Sequence, residues 1–276
     1  MKLSIFLQRI APQHFISRLI GNIAKSENRW IKTVLIKIFI RYFSVNMSEA
    51  EISTIEDYRS FNHFFIRKLR PNQRIILGQV TSPCDGQVSQ AGQIKNGRLL
   101  QVKGIDYSLS SLLGGQTLGD YTKGSFITIY LAPKDYHRVH APLDCEIIQS
   151  KYVPGSLFSV NQLTTNHLEG LFPRNERLIC EFNTRYGMLS LVFVGAMIVA
   201  GIKTVWKDKV YSPNAYVEEK SFGKSIFKQG EEIGHFEMGS TVLLIAQEQM
   251  DWTLSPGELV KLGQPLVSPS DDRPQS

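Results

Sequence analysis

Three short apolar runs constrain the fold of this chain most strongly. They lie at 126–131, 189–194 and 242–246, are rich in Ile, Val, Leu and Phe, and are bounded by glycines. Such runs are typical of β-strands, because branched and aromatic side chains pack well on a pleated surface. A chain of 276 residues can also bury a substantial core. The sequence therefore predicts an α+β fold with a β-rich barrel or sandwich core.

Three other segments add detail to this fold. Residues 47–68 are predicted to be helical, because Ser48 and Glu51 resemble a capping box and the end of the segment keeps helical spacing. Residues 256–266 resemble the hammerhead strands of lipoyl and biotinyl carrier domains, but no lysine lies in the turn that carries the cofactor there. We therefore expect the shared architecture without an attached cofactor. The polar tail at 269–276 is predicted to be disordered.

The positive charge of the chain is confined to its N-terminal arm, residues 1–45. The whole chain carries a formal charge of +6, whereas the arm alone holds eight Lys and Arg against one acid, Glu27. The arm therefore carries +7 and the remaining 231 residues carry −1. Because the basic residues do not extend over the body, the composition argues against a general nucleic-acid-binding protein.

The N-terminal arm is amphipathic as well as basic. Its two apolar stripes at helical spacing are Ile16, Leu19, Ile20 and Ile23, and then Val34, Leu35, Ile38, Phe39 and Tyr42. We expect Pro12 to begin the first helix. Lysines and arginines interrupt every apolar stretch, so none reaches the ~20 residues that a spanning helix needs. The pattern predicts helices lying in the interface of an anionic membrane; the alternative is a helical cap packed on the domain.

Gly239-Ser240-Thr241 stands directly before the third apolar run. Since glycine has no Cβ, it tolerates a strained backbone and allows the hydroxyl of Ser240 to approach the preceding carbonyl carbon. Such a serine can attack the peptide bond between Gly239 and Ser240. The alternative interpretation of the same three residues is a turn that opens a strand.

Two other segments supply an acid and a base for that serine. A serine hydroxyl needs a histidine to take its proton and a carboxylate to orient the histidine. Asp85 and the pair His137 and His140 are candidates for these roles, although the Pro-x-Asp-Gly setting of Asp85 also fits an ordinary turn. The two histidines have no zincin-type Glu between them, and the three cysteines form no Cys-x-x-Cys pair. The sequence therefore predicts no metal site.

Several blocks of this sequence together resemble the signature segments of bacterial-type, pyruvoyl-dependent phosphatidylserine decarboxylases. The resemblance covers most of residues 60–265, with the blocks in the same order. The blocks are 64–71, 82–88, 130–142, 153–161, 175–177, 194–206 and Gly239-Ser240-Thr241.

The resemblance implies a chain that cuts itself between residues 239 and 240. The products are a β chain, 1–239, and an α chain, 240–276, and Ser240 becomes a covalent pyruvoyl group. Met238 stands where the family has leucine, which is a volume-conserving exchange. The family's charge-relay residues fall on Asp85 and His140, and a second family histidine falls on His137.

The resemblance also implies the reaction and its surroundings. The pyruvoyl ketone forms a Schiff base with phosphatidylserine, and the decarboxylated product is phosphatidylethanolamine. Either His137 or His140 protonates the carbanion, and Tyr136 and Phe158 are expected near the lipid headgroup.

The expected partners are an anionic phospholipid membrane, phosphatidylserine, and the chain's own α and β fragments as a heterodimer that could dimerise further; no nucleic acid is expected. An odd cysteine count without a pairing pattern suits a reducing compartment. We therefore expect peripheral attachment to the cytoplasmic face of the inner membrane, with a catalytic domain at 46–268. Two alternatives remain open: a pyruvoyl enzyme acting on another serine-headed lipid or a soluble amino acid, and a non-enzymatic membrane scaffold.

Overall fold

The computed structural model describes residues 8, 10–115, 117–197, 201–211, 216–237 and 240–268. Short strands dominate the body. They are β1 (Gly86–Gln93), β2 (Arg98–Val102), β3 (Ile105–Ser108), β4 (Ser125–Leu131), β5 (Arg138–His140), β6 (Cys145–Val153), β7 (Arg177–Thr184), β8 (Gly187–Gly195), β9 (Ile202–Thr204), β10 (Glu218–Ser221), β11 (Ile226–Phe227), β12 (Glu232–Phe236), β13 (Ser240–Ala246) and β14 (Leu259–Val260). The three apolar runs form β4, β8 and β13, so their prediction as strands is confirmed.

The largest sheet has the order β10-β6-β7-β8-β13-β4-β1-β14, with β11 also paired to β6. Its pairs are antiparallel, and β5-β12-β9 and β2-β3 form two smaller sheets. The path stays open among the described strands, so the barrel alternative is wrong. One edge strand, β10, is exposed at all four residues and reads Glu-Glu-Lys-Ser. The opposite edge is the two-residue strand β14. A charged, exposed strand and a very short one are typical open sheet edges.

The core lies on both faces of this sheet, because strands β4, β8 and β13 are buried on both sides. Along β13, Val242 and Leu244 belong to one buried cluster, whereas Leu243 and Ile245 belong to another. All seven residues of β13 are buried. A central strand with this pattern is held by neighbours on both sides, which fixes the position of its first residue, Ser240.

The helices are few and mostly short. Within the described residues, those with defined bounds are α1 (Gln13–Ala24), α2 (Arg29–Phe43), α3 (Phe61–Phe65), α4 (Leu109–Leu113), α5 (Gln162–Thr165) and α6 (Leu171–Arg174). The first begins directly after Pro12. The mixed α and β composition and the two N-terminal helices are thereby confirmed.

The predicted helix at 47–68 is wrong. Only two 3₁₀ turns, at Met47–Glu49 and Ile55–Asp57, and α3 form there. The backbone between them bonds elsewhere: the amide of Glu51 donates to Lys68, and the amide of Arg70 donates to Glu49. This long-range pairing removes the local hydrogen bonds that a continuous helix needs.

The C-terminal segment contributes β14, which pairs with Gly86 and Gln87 at the start of β1. Its likeness to a carrier-domain hammerhead stays a prediction. The tail at 269–276 lies outside the described residues.

Candidate active site

Ser240 is the first residue of β13 and lies at one end of the main sheet. It pairs with Leu131 on β4 and with Gly195 on β8. Its side chain is fully buried, and its Oγ has no hydrogen-bond partner. A buried hydroxyl without a partner costs free energy, so it marks a position where a polar atom is retained for another reason. Met238 and Gly239, on the other side of the expected cleavage, lie outside the described residues.

The segments expected to carry the chemistry meet at this end of the sheet. The register between β1 and β4 pairs Gln87 with Tyr130, and one step further brings Gly86 opposite Leu131. Asp85 immediately precedes that position. Neighbouring strands are about 4.8 Å apart, and two such spacings separate these positions. The backbone of Asp85 is therefore roughly 10 Å from that of Ser240.

Asp85 is buried and bound by a guanidinium. Arg74 donates from Nε to Asp85 Oδ1 at 2.9 Å, and its Nη2 bonds both Asp85 Oδ2 and Glu49 Oε2. The backbone amide of Leu262 also donates to Asp85 Oδ1 at 2.8 Å. Burial lowers the pKa of Arg74, but the bonds and charges of Asp85 and Glu49 outweigh it and raise that pKa above the ordinary value. Asp85 is therefore held by a fully charged partner.

His140 is a neutral base with a defined tautomer. Its Nδ1 lies 2.8 Å from the carbonyl oxygen of Gly230, which can only accept, so Nδ1 carries the proton. Its Nε2 therefore accepts from the hydroxyl of Tyr136 at 3.1 Å. Burial lowers the pKa of His140, and the hydrogen bond with Gly230 opposes this effect, followed by the charges of Glu232 and, least, Asp85. The Nε2 lone pair is thus available for a proton once Tyr136 moves aside.

His137 is a second neutral histidine, more deeply buried than the first. Its Nδ1 donates to the carbonyl of Asp135 at 2.9 Å, and its ring packs 4.2 Å from that of Phe65. Burial lowers the pKa of His137 to about 3. Its Nε2 is buried and has no hydrogen-bond partner. Nε2 of His137 is therefore an unprotonated nitrogen buried away from water.

The two histidines lie at opposite ends of β12. His140 pairs with Glu232, whereas the carbonyl of His137 accepts from the amide of Phe236. The cleavage segment, residues 237–240, follows directly after β12. His137 is thus beside the end of β12 that leads to the cleavage segment, and His140 lies three residues, roughly 10 Å, further back.

The expected relay is only partly assembled in this arrangement. Among the described hydrogen bonds, none joins Asp85, His140 and Ser240 to one another. Asp85 and Tyr136 line one pocket of about 250 Å³, which also holds Arg67, Arg74 and Lys134. The structure therefore brings Asp85, Tyr136 and His140 into one neighbourhood and leaves Ser240 Oγ unbonded.

Phe158 is buried beside the same end of the sheet. The side-chain amide of Asn175 holds it twice: Asn175 Oδ1 accepts from the Phe158 amide at 3.1 Å, and Nδ2 donates to the Phe158 carbonyl at 2.8 Å. Nδ2 also donates to the carbonyl of Gly195, the residue paired with Ser240. Asn175 thus ties the loop around Phe158 to the strand beside the expected cleavage.

The next two residues, Glu176 and Arg177, received no individual role from the sequence. Burial lowers the pKa of Arg177 to about 10, and its guanidinium donates to four backbone carbonyls, those of Ser111, Leu112, Pro173 and Asn175. Burial raises the pKa of Glu176 to about 7, and the hydroxyl of Tyr152 donates to its Oε2 at 3.0 Å. The sequence signals for them are a run of three polar residues before a buried strand and their place in the 175–177 block that resembles the family.

The N-terminal helices expose much of their apolar surface, although Ile36 is buried in a cluster with Phe61 and Phe64. Helix α1 buries Gln13 and Ser17, whereas Phe15 and Leu19 are 64% and 53% exposed. Helix α2 continues the exposed apolar surface. Its exposed members are Trp30, Ile31, Val34, Ile38 and Tyr42. A helix of a soluble protein ordinarily shows the opposite arrangement.

The arm is attached to the body by polar contacts close to the site. Gln13 Oε1 accepts from the amide of Leu157 at 2.6 Å, and Lys25 forms an ion pair of 2.7 Å with Glu237. Lys32 is buried and donates to the carbonyls of Glu56 and Tyr58. Two of the eight basic residues of the arm therefore bind the protein itself.

The described part of the chain contains neither a membrane-crossing helix nor a metal-binding cluster. None of its helices combines the length and hydropathy of a membrane-crossing segment. Within the same residues, no three His, Cys, Asp or Glu side chains are grouped in a way that could hold a metal ion.

Comparison with known proteins gives concordant matches. A family model described as phosphatidylserine decarboxylase matches residues 61–268, and a second, described as PSD, matches residues 3–44. A relative from Psychrobacter arcticus is 44% identical over 270 residues, which cover 95% of this chain and 97% of the relative. One from Pseudomonas putida is 43% identical over 282 residues, 98% of each chain. Both are named phosphatidylserine decarboxylase proenzyme.

Proposed function

This chain belongs to the phosphatidylserine decarboxylase family, and we propose that Ser240 supplies the pyruvoyl group with which it works. The enzyme converts phosphatidylserine to phosphatidylethanolamine and CO₂. Self-processing of a precursor chain is general in the family, and the relatives' names describe a proenzyme. In this chain we place the cut between Gly239 and Ser240.

The surroundings of Ser240 suit such a group. The observation that carries the assignment is the orphaned Oγ, fully buried at the first residue of a central strand. A pyruvoyl group supplies a ketone that condenses with a primary amine and an adjacent amide carbonyl that accepts electrons. Leu131 and Gly195 on the two neighbouring strands would hold it in place from both sides.

We assign proton transfer at this site to the two histidines. His140 Nε2 is the base for the Ser240 hydroxyl, because its other nitrogen is already bound to the Gly230 carbonyl. Reaching Ser240 requires the Tyr136 hydroxyl to release Nε2. The charges of Glu232 and Asp85 both favour the protonated form of His140, and the effect of Asp85 is the smaller of the two. His137 Nε2, buried and unbonded, is suited to accept a proton beside the cleavage segment.

The two fragments are expected to remain together after cleavage. All seven residues of β13 are paired with β4 on one side and with β8 on the other. The 37-residue α chain therefore keeps its central strand inside a sheet that belongs otherwise to the β chain. This pairing supports a heterodimer of fragments as the active form.

We further propose that the enzyme is peripheral to an anionic membrane on the cytoplasmic side. The exposed apolar surface of α1 and α2 supports this, together with the exposed cations Arg18, Arg29, Lys37 and Arg41. Apolar side chains would lie in the acyl boundary while the cations meet anionic headgroups.

The activity is tested with vesicles containing phosphatidylserine in a phosphatidylglycerol background. Wild-type protein should release CO₂ and form phosphatidylethanolamine, and Ser240→Ala should form none. Other serine-bearing lipids and free serine test the alternative substrates. Product from free serine but none from the lipid would overturn the substrate assignment, and an active Ser240→Ala would overturn the prosthetic-group assignment.

A further inference from the structure

The pairing of β8 with β13 places Gly195 unusually close to Ser240. The amide of Gly195 donates to the carbonyl of Glu176 at 2.9 Å, and its carbonyl accepts from Asn175 Nδ2 at 2.8 Å. Both backbone polar groups of Gly195 therefore point away from β13. Gly195 and Ser240 consequently form a non-hydrogen-bonded pair, in which the Cα atoms approach to about 4.5 Å and the side chains share one face.

Glu176 fills the space that Gly195 leaves on that face. A Cβ built on Gly195 would lie 2.8 Å from both Cγ and Oε1 of Glu176. The position normally taken by the cross-strand side chain opposite Ser240 is therefore occupied by a carboxyl group. Glu176 is 2% exposed, and its other oxygen accepts from Tyr152, which fixes the orientation of the carboxyl.

We propose that Glu176 is the base that removes the Cα proton of residue 240 during self-cleavage. The proposal rests on the cleavage site assigned above. In a non-hydrogen-bonded antiparallel pair, the Cα–H bonds of the two residues point toward each other. The Cα–H bond of Ser240 therefore points toward Gly195, over which the Glu176 carboxyl lies.

The chemistry needs such a base at its second step. First, Ser240 Oγ attacks the Gly239 carbonyl carbon, the peptide C–N bond breaks, and the Oγ proton ends on the amine nitrogen of residue 240. The chain is then joined through an ester. The Glu176 carboxylate next takes the Cα proton, that electron pair forms the Cα–Cβ double bond, and the Cβ–Oγ bond breaks. Gly239 leaves as a carboxylate, and Glu176 is left protonated.

The environment of Glu176 suits a base that works near neutral pH. Burial raises its pKa to about 7, and the hydrogen bond from Tyr152 opposes that rise. Tyr152 is the titratable side chain that the described structure places against it. A general base is most effective when its pKa is close to the working pH, because the ionised form is then both populated and basic.

The test is Glu176→Gln, which keeps the size of the side chain and its acceptor for Tyr152 but cannot take a proton. Loss of a positioned base should slow fragment formation by about 100-fold or more. The stalled chain should contain an ester at residue 240, which has the same mass as the intact chain. Hydroxylamine should split it into 1–239 and a fragment 240–276 that begins with an unmodified serine.

Three variants make the result decisive. Ser240→Ala cannot form the ester and should resist hydroxylamine. Glu176→Asp withdraws the carboxylate by one methylene. It should process slowly and accumulate the hydroxylamine-sensitive ester expected for Glu176→Gln. This variant replaces Glu176→Gln in the test if the glutamine variant unfolds. Gly195→Ala should also process slowly and show the hydroxylamine-sensitive species, because its Cβ would displace the Glu176 carboxyl.

Two results would overturn the role of Glu176. One is fragment formation by Glu176→Gln at the wild-type rate. The other is a folded Glu176→Gln chain, with a wild-type circular dichroism spectrum, that stays intact and resists hydroxylamine. Failure of the cleavage assignment looks different, because the wild-type chain itself would then not split between residues 239 and 240.

Discussion

Burial shifts His137, His140 and Glu176 toward their neutral forms. Glu176 lies beside the start of β13, and the two histidines lie along β12. Desolvation disfavours the charged form of an ionisable group unless a partner compensates it. The charged residues nearby are compensated: Arg74 has two carboxylates, and Arg177 has four carbonyls. The two histidines and Glu176 are therefore shifted toward neutral forms, whereas the charged groups near them have hydrogen-bond or ionic partners.

The raised pKa of Glu176 predicts a specific pH dependence of stability. Its pKa is about 7 in the folded chain against an ordinary value of 4.5. The folded state therefore holds this proton more tightly, so the contribution to stability is complete below pH 4.5 and is lost as the pH rises through 7. Relative to Glu176→Gln, the chain should lose on the order of 3 kcal/mol of unfolding free energy over that range.

Urea unfolding at pH 4 to 8 measures this difference, with both chains in the Ser240→Ala background so that neither is cleaved. The Tyr152 hydroxyl, which faces Glu176, stays protonated throughout. A difference in unfolding free energy that does not change with pH would contradict the assigned shift.

The tautomer of His140 gives a second prediction at this scale. His140→Gln removes the Nε2 lone pair, so cleavage should slow by about 100-fold or more, measured by the appearance of the 240–276 fragment. His167→Gln is the matched control, because His167 is exposed and bonds only its own helix region at Leu163. If His140→Gln is cleaved at the wild-type rate, His140 is not the base, and the role would fall to His137.

Secondary-structure elements were predictable from the sequence where the local pattern of residues determines the structure without long-range pairing. The strands β4, β8 and β13 follow from continuous apolar runs, and α1 and α2 follow from spacing. The helix at 47–68 failed because Glu51 and Arg70 pair with distant backbone, which local propensity cannot reveal. Arg74 and Glu176 were missed for the same reason: their partners, Asp85 and Gly195, are distant in sequence.

The orientation of the apolar stripes was also not readable from the sequence. Spacing identifies the stripe, whereas the burial of Gln13 and its bond with Leu157 show which side of α1 faces the body. Leu19→Glu or Ile38→Glu should therefore weaken binding to phosphatidylglycerol vesicles by about tenfold or more while changing stability little, since both are more than half exposed.

Vesicle flotation measures this binding, and Leu118→Glu supplies the matched control. Leu118 is as exposed as Leu19, at 53%, but lies on the catalytic body. Equal loss of binding by the control and the arm variants would contradict the assignment of the arm as the membrane-facing surface.

Across the whole molecule, the N-terminal arm contacts the body close to the expected cleavage segment. Lys25 of the arm pairs with Glu237, three residues before Ser240, and Gln13 bonds the segment that also carries Phe158. The separation of charge, +7 in the arm and −1 elsewhere, places the cations where anionic lipid would be met. A lipid substrate would thus reach the site from the surface on which the arm rests.

The position of β13 predicts how the processed enzyme behaves as a whole. Fragments 1–239 and 240–276 should elute together in size-exclusion chromatography under native conditions and separate only in denaturant. Pairing along both edges of β13 is the physical reason. Loss of the small fragment in native buffer would contradict it.

The intact mass of the purified protein under denaturing conditions tests the central claim most directly. We predict two species for the wild type, 1–239 and 240–276, with the smaller lighter by one ammonia than a peptide beginning with serine. Ser240→Ala should give one species of 276 residues. A single wild-type chain that still decarboxylates phosphatidylserine, or the same two fragments from Ser240→Ala, would contradict the account.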